Sequence, residues 1–315
     1  MIKKTDKIFL AGHNGLVGSA ILRLLKKRGY KKIIISDKKK LDLLDQKKVK
    51  LFLKKNKPKI IIIAAAKVGG IKANSTFKGE FIRENIEIQS NLIHGAYKNG
   101  IKNIIFLGSS CVYPVNCKRP IKEEYLLTGS LEPTNEPYAI AKIAGIKMCE
   151  SYNFQYKTNY ISLMPTNTFG PGDNYNLENS HFIPAILKKI YLAEINNKSS
   201  IELWGSGTPK REVIYVDDLA DAVIYFMNKK VNHSLINIGT SEEQSIKSYT
   251  NKILKILKLK IKIKFNNDKK LDGMRSKVLD TSLAKKYGWK PKKNLTKCIL
   301  ETYLDLKKNF KSIRD

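Results

Sequence analysis

The sequence predicts an α/β fold built on a doubly wound parallel sheet, and two features of the chain indicate it. Short, continuous apolar runs alternate with helical patterns of ten or more residues throughout the first half. Strands of a parallel sheet are buried on both faces and joined by helices, which produces this alternation. The second feature is a glycine-rich turn, GHNGLVG, between the first apolar run and the first helical pattern. In doubly wound folds ligands bind at such turns, beyond the carboxyl ends of the strands.

Each element of the first half follows from the spacing of apolar residues. The first strand is KIFLAG, and the helix after it is GLVGSAILRLLKKRG, with apolar residues at helical spacing. The second strand and helix are KKIIIS and DQKKVKLFLKKN, and the third are KIIIIAAA and EFIRENIEIQSNLIHGAYKNG. NIIFLGSS and TNYISLMP are the fourth and fifth strands. This order predicts a sheet covered by helices on both faces.

The glycine turn contains Gly12, Gly15 and Gly18 in the spacing GxxGxxG. Glycines at these positions permit a tight turn, close approach to a pyrophosphate and close packing of strand and helix. In this strand–turn–helix context we expect a bound dinucleotide. Asp37 ends the second strand, where an acid favours NAD by bonding the ribose. Lys38, Lys39 and Lys40 follow at once; they either neutralise the 2′-phosphate of NADP or lie on a solvated turn.

A second, smaller lobe is predicted where the pattern loosens after residue 171. Gly, Asn, Pro and His cluster in FGPGDNYNLENSHFIP, and short strands and helices then mix as far as a final helix, NLTKCILETYLDLKKNF. YVDDLADAVIYFM and SLINIGT indicate a return to the sheet. We therefore expect a Rossmann dinucleotide-binding domain from residues 1–171 with 213–239. An interleaved α/β substrate domain would comprise residues 172–212 with 240–315.

The formal net charge of +31 is unusual, but its composition argues against a nucleic-acid partner. Only seven of the 59 basic residues are Arg, the residue that reads phosphates and bases by bidentate hydrogen bonds. The lysines are spread over predicted helices as solvated faces, and an anionic small-molecule substrate benefits from their charge.

The chain also lacks signals for a membrane, a secretory route or a metal. No apolar run approaches the length of a membrane span, and MIKKTDKIFLAG is too short an apolar start for a signal peptide. The four cysteines, Cys111, Cys117, Cys149 and Cys298, show no paired metal-site spacing. We expect reduced thiols, no metal, no membrane partner and a cytoplasmic location.

A tyrosine and a lysine on one helix provide the first catalytic candidates. PYAIAK, residues 137–142, begins a helix, because Pro suits the first helical position and Asn135 or Glu136 before it marks a start. Tyr138 and Lys142 are four residues apart, so they lie on one face. An ammonium beside a phenol lowers the phenol pKa, which suits proton transfer at a carbonyl oxygen.

The stretch FLGSSCVYP places Ser109, Ser110 and Cys111 at the end of the fourth strand. The YxxxK pair is common by chance, but together with the glycine turn and these serines it indicates a carbonyl oxidoreductase. The sequence alone does not decide whether Cys111 is catalytic or packs in the core, since a lone cysteine is usually a small buried hydrophobe. His181, in a polar loop, is equally open between catalysis and simple solvation.

At this point the chain resembles the extended short-chain dehydrogenase/reductases, and within them the GDP-L-fucose synthases. The resemblance runs nearly end to end, through AGHNGLVGSAI, AAAKVGGI, LGSSCVYP, LEPTNEPYAIAKIAGIK, MPTNTFGP, NSHFIPA, WGSGTPKREVIYVDDLADA and DGMRSKVLD. GxxGxxG and YxxxK mark the superfamily only. AAAKVGGI, the SSC triplet and WGSGTPKRE are specific to this branch.

The resemblance implies a bifunctional enzyme. Such enzymes epimerise GDP-4-keto-6-deoxy-D-mannose at C3 and C5 and then reduce it at C4 with NADPH. By motif, Tyr138 donates a proton to the C4 oxygen, Lys142 tunes it and holds the nicotinamide ribose, and Ser109 hydrogen-bonds the ketone. Cys111 and His181 match the epimerisation pair, with Cys111 expected as base and His181 as acid.

The resemblance also assigns binding residues and a homodimer. The residues expected at the cofactor are Gly12, His13, Asn14, Gly15, Leu16, Val17, Gly18, Lys38, Asp42, Leu43, Leu107, Gly108, Ser109, Ser110, Lys142, Pro165, Thr166, Asn167, Thr168 and His181. Those expected at the GDP-sugar are Lys189, Trp204, Arg211, Asp272 and Lys277. Arg211 suits a diphosphate, and Trp204 offers either a stacking face or a core anchor for the second lobe.

Two departures from the family bear on the cofactor. Asn14 stands where relatives often carry Arg, and Asp37 with Lys38 stands where an Arg is usual. Both weaken an NADP preference, so we expect NADP(H) with NAD(H) left open by Asp37.

Three alternatives to this assignment remain at the level of sequence. One is a relative that acts on another GDP-4-keto sugar, such as a 6-deoxy-heptose. Another is an NDP-sugar 4-epimerase that recycles a bound NAD, although the SSC triplet and His181 argue against it. The third is a degenerate relative that binds nucleic acid, which the intact Tyr138, Lys142 and Ser109 disfavour.

Overall fold

A computed structural model describes residues 1–268 and 272–310 of the chain. The first half contains β1 (Lys7–Ala11), α1 (Leu16–Lys27), β2 (Lys32–Ile34), α2 (Gln46–Asn56), β3 (Ile60–Ile63), α3 (Ile71–Thr76), α4 (Lys78–Lys98), β4 (Asn103–Leu107), α5 (Glu136–Tyr156) and β5 (Asn159–Pro165). The second half contains β6 (Asn167–Phe169), α6 (Phe182–Ile195), β7 (Ser200–Leu203), β8 (Lys210–Tyr215), α7 (Val216–Met227), β9 (Leu235–Ile238), β10 (Glu243–Ser245), α8 (Ile246–Leu257), β11 (Lys262–Phe265), α9 (Ser282–Lys286) and α10 (Leu295–Asn309).

The main sheet has six strands in the order β2-β1-β3-β4-β5-β9. All five neighbouring pairs are parallel. The chain leaves β1 toward β2 on one side and returns to β3 on the other, so the strand order reverses beside β1. In open α/β sheets ligands bind at this reversal, beyond the carboxyl ends of the strands. The predicted doubly wound parallel sheet is confirmed.

Alternate residues of each strand enter two different hydrophobic clusters, because side chains point to opposite faces of a sheet. In β1, Ile8 and Leu10 belong to the cluster that contains buried residues of α1 and α7. Phe9 belongs to the cluster with α2, α4 and α5. Burial of both faces explains why the strands are nearly all apolar.

The second lobe has a hydrophobic cluster of its own. Buried residues of α6, β7, β8, α8 and α10 form it, with Tyr175 from the preceding loop. Two small sheets accompany it, β10-β8-β6 and β11-β7. SLINIGT returns to the main sheet as β9, at the edge beside β5. The division into two interleaved domains stays a prediction, and residues 269–271 and 311–315 of its second part lie outside the described residues.

Two strands are shorter than the apolar runs that predict them. β2 covers only Lys32–Ile34, at the edge of the sheet, where Ile35 is already 41% exposed. β3 ends at Ile63, although the Ala64 N–H still donates to the Ala11 carbonyl at 3.0 Å. Within the part of the chain that the structure describes, no helix is both long and apolar enough to cross a membrane.

Candidate active site

The glycine turn lies at the carboxyl end of β1 and forms a tight cradle. Gly12 has φ +88°, and a Cβ there would lie 2.5 Å from the Ala65 backbone nitrogen. A Cβ on Gly18 would overlap the Gly12 carbonyl. Gly15, the residue before α1, is different, because a Cβ there would meet only the Gly12 oxygen, at 3.6 Å. The turn is therefore closed on its inner side and open at the helix N-terminus, which fits an anionic phosphate.

Asp37 is engaged by the glycine turn itself. Its Oδ1 accepts a hydrogen bond from Asn14 Nδ2 at 2.8 Å and lies 3.3 Å from His13 Nε2. Lys38 beside it is exposed. Asp37, the acid expected to favour NAD over NADP, is thus hydrogen-bonded to Asn14.

The remaining predicted cofactor residues follow neighbouring strands. The Asp42 carboxylate accepts from the Leu44 backbone at 3.0 Å, and the Leu43 carbonyl accepts from Asn91 at 2.9 Å. These contacts fix the chain after β2. Leu107 to Ser110 continue from β4, and a Cβ on Gly108 would overlap the Met164 side chain.

Pro165 to Thr168 run from β5 into β6, beside β8. Thr166 Oγ1 and Asn167 Nδ2 donate to the Glu212 carbonyl at 3.1 and 2.9 Å. Thr168 Oγ1 donates to the Thr166 carbonyl at 3.2 Å. This segment therefore joins the main sheet to the small sheet of the second lobe.

Lys142 is a buried cation whose ammonium donates a hydrogen bond to a backbone carbonyl. Only 3% of the residue is exposed, and Nζ donates to the Leu107 carbonyl at 2.8 Å. Nζ also lies 5.9 Å from the centre of the Tyr138 ring, one turn earlier on α5. Burial lowers the pKa of Lys142 to about 7. The ammonium is thus close to losing its proton at neutral pH.

Tyr138 keeps its proton in this structure. Desolvation raises the pKa of Tyr138 well above its ordinary value, and the charge of Cys111 adds to this, while a hydrogen bond with Ser109 lowers it. Phe81 packs edge-on against the phenol ring with 6.3 Å between centroids. We had expected Lys142 to lower this pKa, but its ammonium is turned to Leu107 instead. A protonated phenol next to Ser109 is suited to donate a proton to a ketone oxygen.

Cys111 lies in the turn after β4, and two donors approach its sulfur. Lys277 Nζ donates to Sγ at 3.3 Å, and Asn135 Nδ2 approaches Sγ at 3.7 Å. The Cys111 backbone N–H donates to Ser109 Oγ at 3.2 Å, which fixes the thiol relative to the serine. Tyr138, Ser109 and Cys111, which come from two separate sequence patterns, therefore lie close together.

His181 precedes the first turn of α6 and is exposed. The loop that carries it is tied to the VGG segment after β3, because the Gly70 backbone N–H donates to the Asn179 carbonyl at 2.8 Å. A Cβ on Gly70 would lie 2.7 Å from the Ser180 carbonyl oxygen. Although part of His181 is exposed, the protein atoms packed around its imidazole lower its pKa by desolvation, and repulsion from Lys277 lowers it further. His181 and Cys111 are thus coupled to one and the same lysine.

Four of the five residues predicted for the GDP-sugar, all but Lys277, form one cluster. Lys189 Nζ lies 5.3 Å from the Trp204 ring centre, and Trp204 is 40% exposed, so it is no core anchor. The Asp272 carboxylate accepts from the backbone N–H and the hydroxyl of Ser206, both at 2.8 Å. Arg211 donates to the Asp272 carbonyl at 2.7 Å. Lys277 lies apart from this cluster, at Cys111.

Arg211 lies between the predicted GDP-sugar residues and Cys111. Desolvation lowers its pKa, while the charges of Asp272 and then of Cys111 raise it. The guanidinium therefore lies in the field of both. Over residues 1–268 and 272–310, no three His, Cys, Asp or Glu residues are arranged as a metal site.

Two site residues were missed by sequence reasoning. Asn135 was recognised only as a helix start signal, yet its side chain does not cap α5 and faces Cys111. Glu212 is fully buried in β8, and its carboxylate accepts from the backbone of Thr240, Ser241 and Leu279. Burial raises the pKa of Glu212 to about 7, against the opposing effect of these hydrogen bonds. An acid inside a strand with buried neighbours was the available signal.

The chain is similar to several known proteins over nearly its whole length. Residues 8–239 match the NAD dependent epimerase/dehydratase family. The chain is 44% identical to GDP-L-fucose synthase 1 of Arabidopsis thaliana over 303 residues, which cover 96% of this chain and 94% of that protein. A GDP-6-OMe-4-keto-L-xylo-heptose reductase from C. jejuni has a TM-score of 0.91 at 34% identity, covering 98% of this chain and 99% of its own. A GDP-L-fucose synthetase from Naegleria fowleri bound to NADP has a TM-score of 0.90 at 28% identity, covering 100% of this chain and 98% of its own.

Proposed function

Because the chain belongs to the NAD dependent epimerase/dehydratase family, we propose that it converts GDP-4-keto-6-deoxy-D-mannose to GDP-L-fucose. The conversion comprises epimerisation at C3 and C5 and NADPH-dependent reduction at C4. The observation that carries the proposal is the meeting of Tyr138, Ser109 and Cys111 at the end of β4, with Lys277 at the thiol. A simple reductase needs the first two groups, and the thiol serves a second chemistry.

NADP(H) fits the open glycine turn, and the solved synthetase with NADP bound supports the choice. Gly12 to Gly18 would hold the pyrophosphate, and Lys142 would hold the nicotinamide ribose. Lys38 is free to meet a 2′-phosphate, whereas Asp37 is partly satisfied by Asn14 and His13. When bound, NADPH supplies the hydride that C4 accepts.

In the reduction, Tyr138 gives its proton to the C4 oxygen, and Ser109 holds that oxygen by a hydrogen bond. The raised pKa of Tyr138 keeps the proton in place until charge develops on the oxygen. Lys142 then stabilises the phenolate and supplies a proton to it from the buried side.

In the epimerisation, the Cys111 thiolate takes the proton from a carbon next to the ketone, which leaves an enolate. Ser109 and Tyr138 hold the enolate oxygen. His181 returns a proton to the same carbon from the opposite face, and the centre is inverted. Cys111 then carries the extra proton and His181 lacks one, so both must exchange with water before the second inversion.

Lys189, Trp204, Arg211 and Asp272 would hold the GDP moiety. Arg211 supplies a fixed positive charge for the diphosphate. Trp204 presents an exposed ring face on which a base or sugar can pack. We also propose a cytoplasmic homodimer without nucleic-acid or membrane partners, as the family resemblance implies. Light scattering should then give twice the monomer mass of 35.8 kDa.

The assay is to incubate the purified protein with GDP-4-keto-6-deoxy-D-mannose and either NADPH or NADH. We expect consumption of NADPH and formation of GDP-L-fucose, identified by chromatography. Product that is reduced without inversion at C3 and C5 would contradict the epimerase half of the proposal. Absence of oxidation of both cofactors would contradict the reductase half.

Solvent-deuterium exchange separates the two chemistries. Cys111→Ala should lose deuterium incorporation at C3 and C5 in D₂O, because the base is gone. Tyr138→Phe should keep exchange and lose most of the reduction, since the proton donor contributes about 10²–10⁴-fold. Normal exchange in the Cys111→Ala protein would show that another group is the base.

A second candidate is an epimerase or reductase of another GDP-4-keto sugar. The similarity to the C. jejuni heptose reductase favours it. Comparing kcat/KM for 6-deoxy-hexose and 6-deoxy-heptose substrates distinguishes the two. A preference for the heptose would replace the GDP-L-fucose assignment and leave the catalytic roles unchanged.

A further inference from the structure

The Lys277 ammonium is buried against the Cys111 sulfur. Only 7% of Lys277 is exposed, and Nζ donates to Sγ at 3.3 Å. Among the residues that the structure describes, no carboxylate lies within ion-pair distance of this ammonium. A buried charge needs an opposite charge or several hydrogen bonds to be stable. The sulfur is the group in place to supply that charge.

The backbone that carries Lys277 is held rigidly. Its own N–H and the Ser276 hydroxyl donate to the Glu243 carboxylate at 3.3 and 2.8 Å. The Lys277 carbonyl accepts from the Glu212 N–H at 3.3 Å. Two residues on, the Leu279 N–H donates to the Glu212 carboxylate at 2.8 Å. These contacts fix the backbone from which the Lys277 side chain reaches the sulfur.

A second donor meets the same sulfur. Asn135 presents its amide nitrogen at 3.7 Å, while its Oδ1 is buried without a hydrogen-bond partner among the described residues. The orientation of the amide is assigned from its contacts. Both neighbours of the sulfur therefore donate, which is an environment for an anion. Tyr138 and Arg211 also lie within the electrostatic reach of Cys111.

We propose that Lys277 holds Cys111 as a thiolate, ready to take a substrate proton, rather than acting only as a ligand for the GDP-sugar. The catalytic use of that thiolate rests on the proposed function. In the proton transfer, the C–H electron pair becomes the enolate, the proton goes to sulfur, and Lys277 keeps all its protons. The negative charge moves from sulfur to the enolate oxygen while the cation stays in place.

The same cation acts on the proton donor. Repulsion from Lys277 lowers the pKa of His181, after the larger effect of desolvation. An imidazolium in this field gives up its proton more readily. One lysine thus acts on both the base and the proton donor of the epimerisation.

The test is alkylation of the protein by neutral iodoacetamide without substrate or cofactor, since thiolates react and thiols do not. Labelling is followed by mass spectrometry of the peptide with Cys111. We expect Lys277→Gln to slow it about tenfold at pH 7, the effect of removing one close opposite charge. Lys277→Arg should keep most of the rate. The control is Lys260→Gln, which removes a charge from an exposed surface residue and should leave the rate unchanged.

Equal Cys111 labelling rates in the Lys277→Gln and Lys260→Gln proteins would overturn the proposal. If Lys277→Gln does not fold, Lys277→Met, which keeps the apolar stem of the side chain, takes its place. Cys111 labelling as fast in that protein as in Lys260→Gln would overturn the proposal. Because no substrate is present, this result is independent of the enzymatic assay. Inactivity on the GDP-sugar together with slower labelling in the Lys277 variant would reject the proposed function alone.

Discussion

Burial of the Lys142 ammonium destabilises the folded protein, because the cation is held where water does not reach it. Its pKa of about 7 lies below the ordinary 10.5. The unfolded chain therefore binds more protons than the folded protein between pH 7 and 10.5, so the penalty on folding is full below pH 7. It is lost as pH rises to 10.5. A bound ligand and the Tyr138 phenolate would give the ammonium polar partners and so remove this cost during the reaction.

We predict that Lys142→Met abolishes reduction and yet raises the Tm of the unliganded protein at pH 7. The free energy of unfolding should rise by about 1–2 kcal/mol. It rises because the buried charge is removed, and losing the hydrogen bond to Leu107 offsets part of this increase. Thermal unfolding followed by circular dichroism measures it. The difference from wild type should shrink between pH 7 and pH 10. A variant less stable than wild type at pH 7 would show that the cation is already well compensated.

Individual site residues were predictable where one short pattern contains them. Tyr138 and Lys142 lie on one helix turn, and Ser109 and Cys111 lie in one loop, so spacing is enough. The contact between Lys277 and Cys111 spans 166 positions along the chain. It depends on how the segment after residue 272 crosses β8, which no local pattern contains. Asn135 was found for the wrong reason, since its side chain serves the sulfur and not the helix.

At the level of elements, β8 carries the connection between the two halves of the site. Arg211 points to the nucleotide cluster, and the next residue, Glu212, binds the turn after β9 and the segment that carries Lys277. The Gly239 position is tight, because a Cβ there would overlap the Glu212 carboxylate.

We predict that Gly239→Ala lowers stability by about 2 kcal/mol or more, since it displaces a buried carboxylate from its N–H donors. It should also raise KM for the GDP-sugar and slow the epimerisation, because Arg211 and Lys277 both move. Gly79→Ala is the matched control: no atom lies within 4 Å of its Cβ, and α4 should gain slightly. Equal Tm values for the two variants would show that Glu212 is not needed in this position.

The elements of the main sheet were predictable because burial on both faces leaves almost pure apolar runs, such as the four isoleucines of β3. Their ends were less so. The alanines after β3 continue the apolar run, so the run alone does not mark Ile63 as the last residue of the strand. The small strands of the second lobe, such as β6 and β10, span three residues each. Three residues are too few to show the alternation of apolar and polar side chains that predicts a strand.

For the whole molecule, the charge of +31 and the anionic substrate and cofactor imply attraction over long range. We predict that KM for both the GDP-sugar and NADPH rises several-fold as salt screens this field, while kcat changes little. Steady-state kinetics in increasing NaCl measures this, with a neutral osmolyte as control. A KM independent of salt would show that the lysines do not attract the substrate or the cofactor over long range.

The buried Glu212 carboxylate also limits how this protein can be recombined. The carboxylate joins β8 to two segments that are far apart along the chain, the turn after β9 and the segment that contains Leu279. A graft that imports only the sugar-facing loops of a relative would leave this junction mismatched. An engineer who wishes to change the sugar should therefore exchange β8, the turn after β9 and residues 272–280 as one cassette. The same constraint predicts that natural relatives with new sugar preferences vary around this junction and not through it.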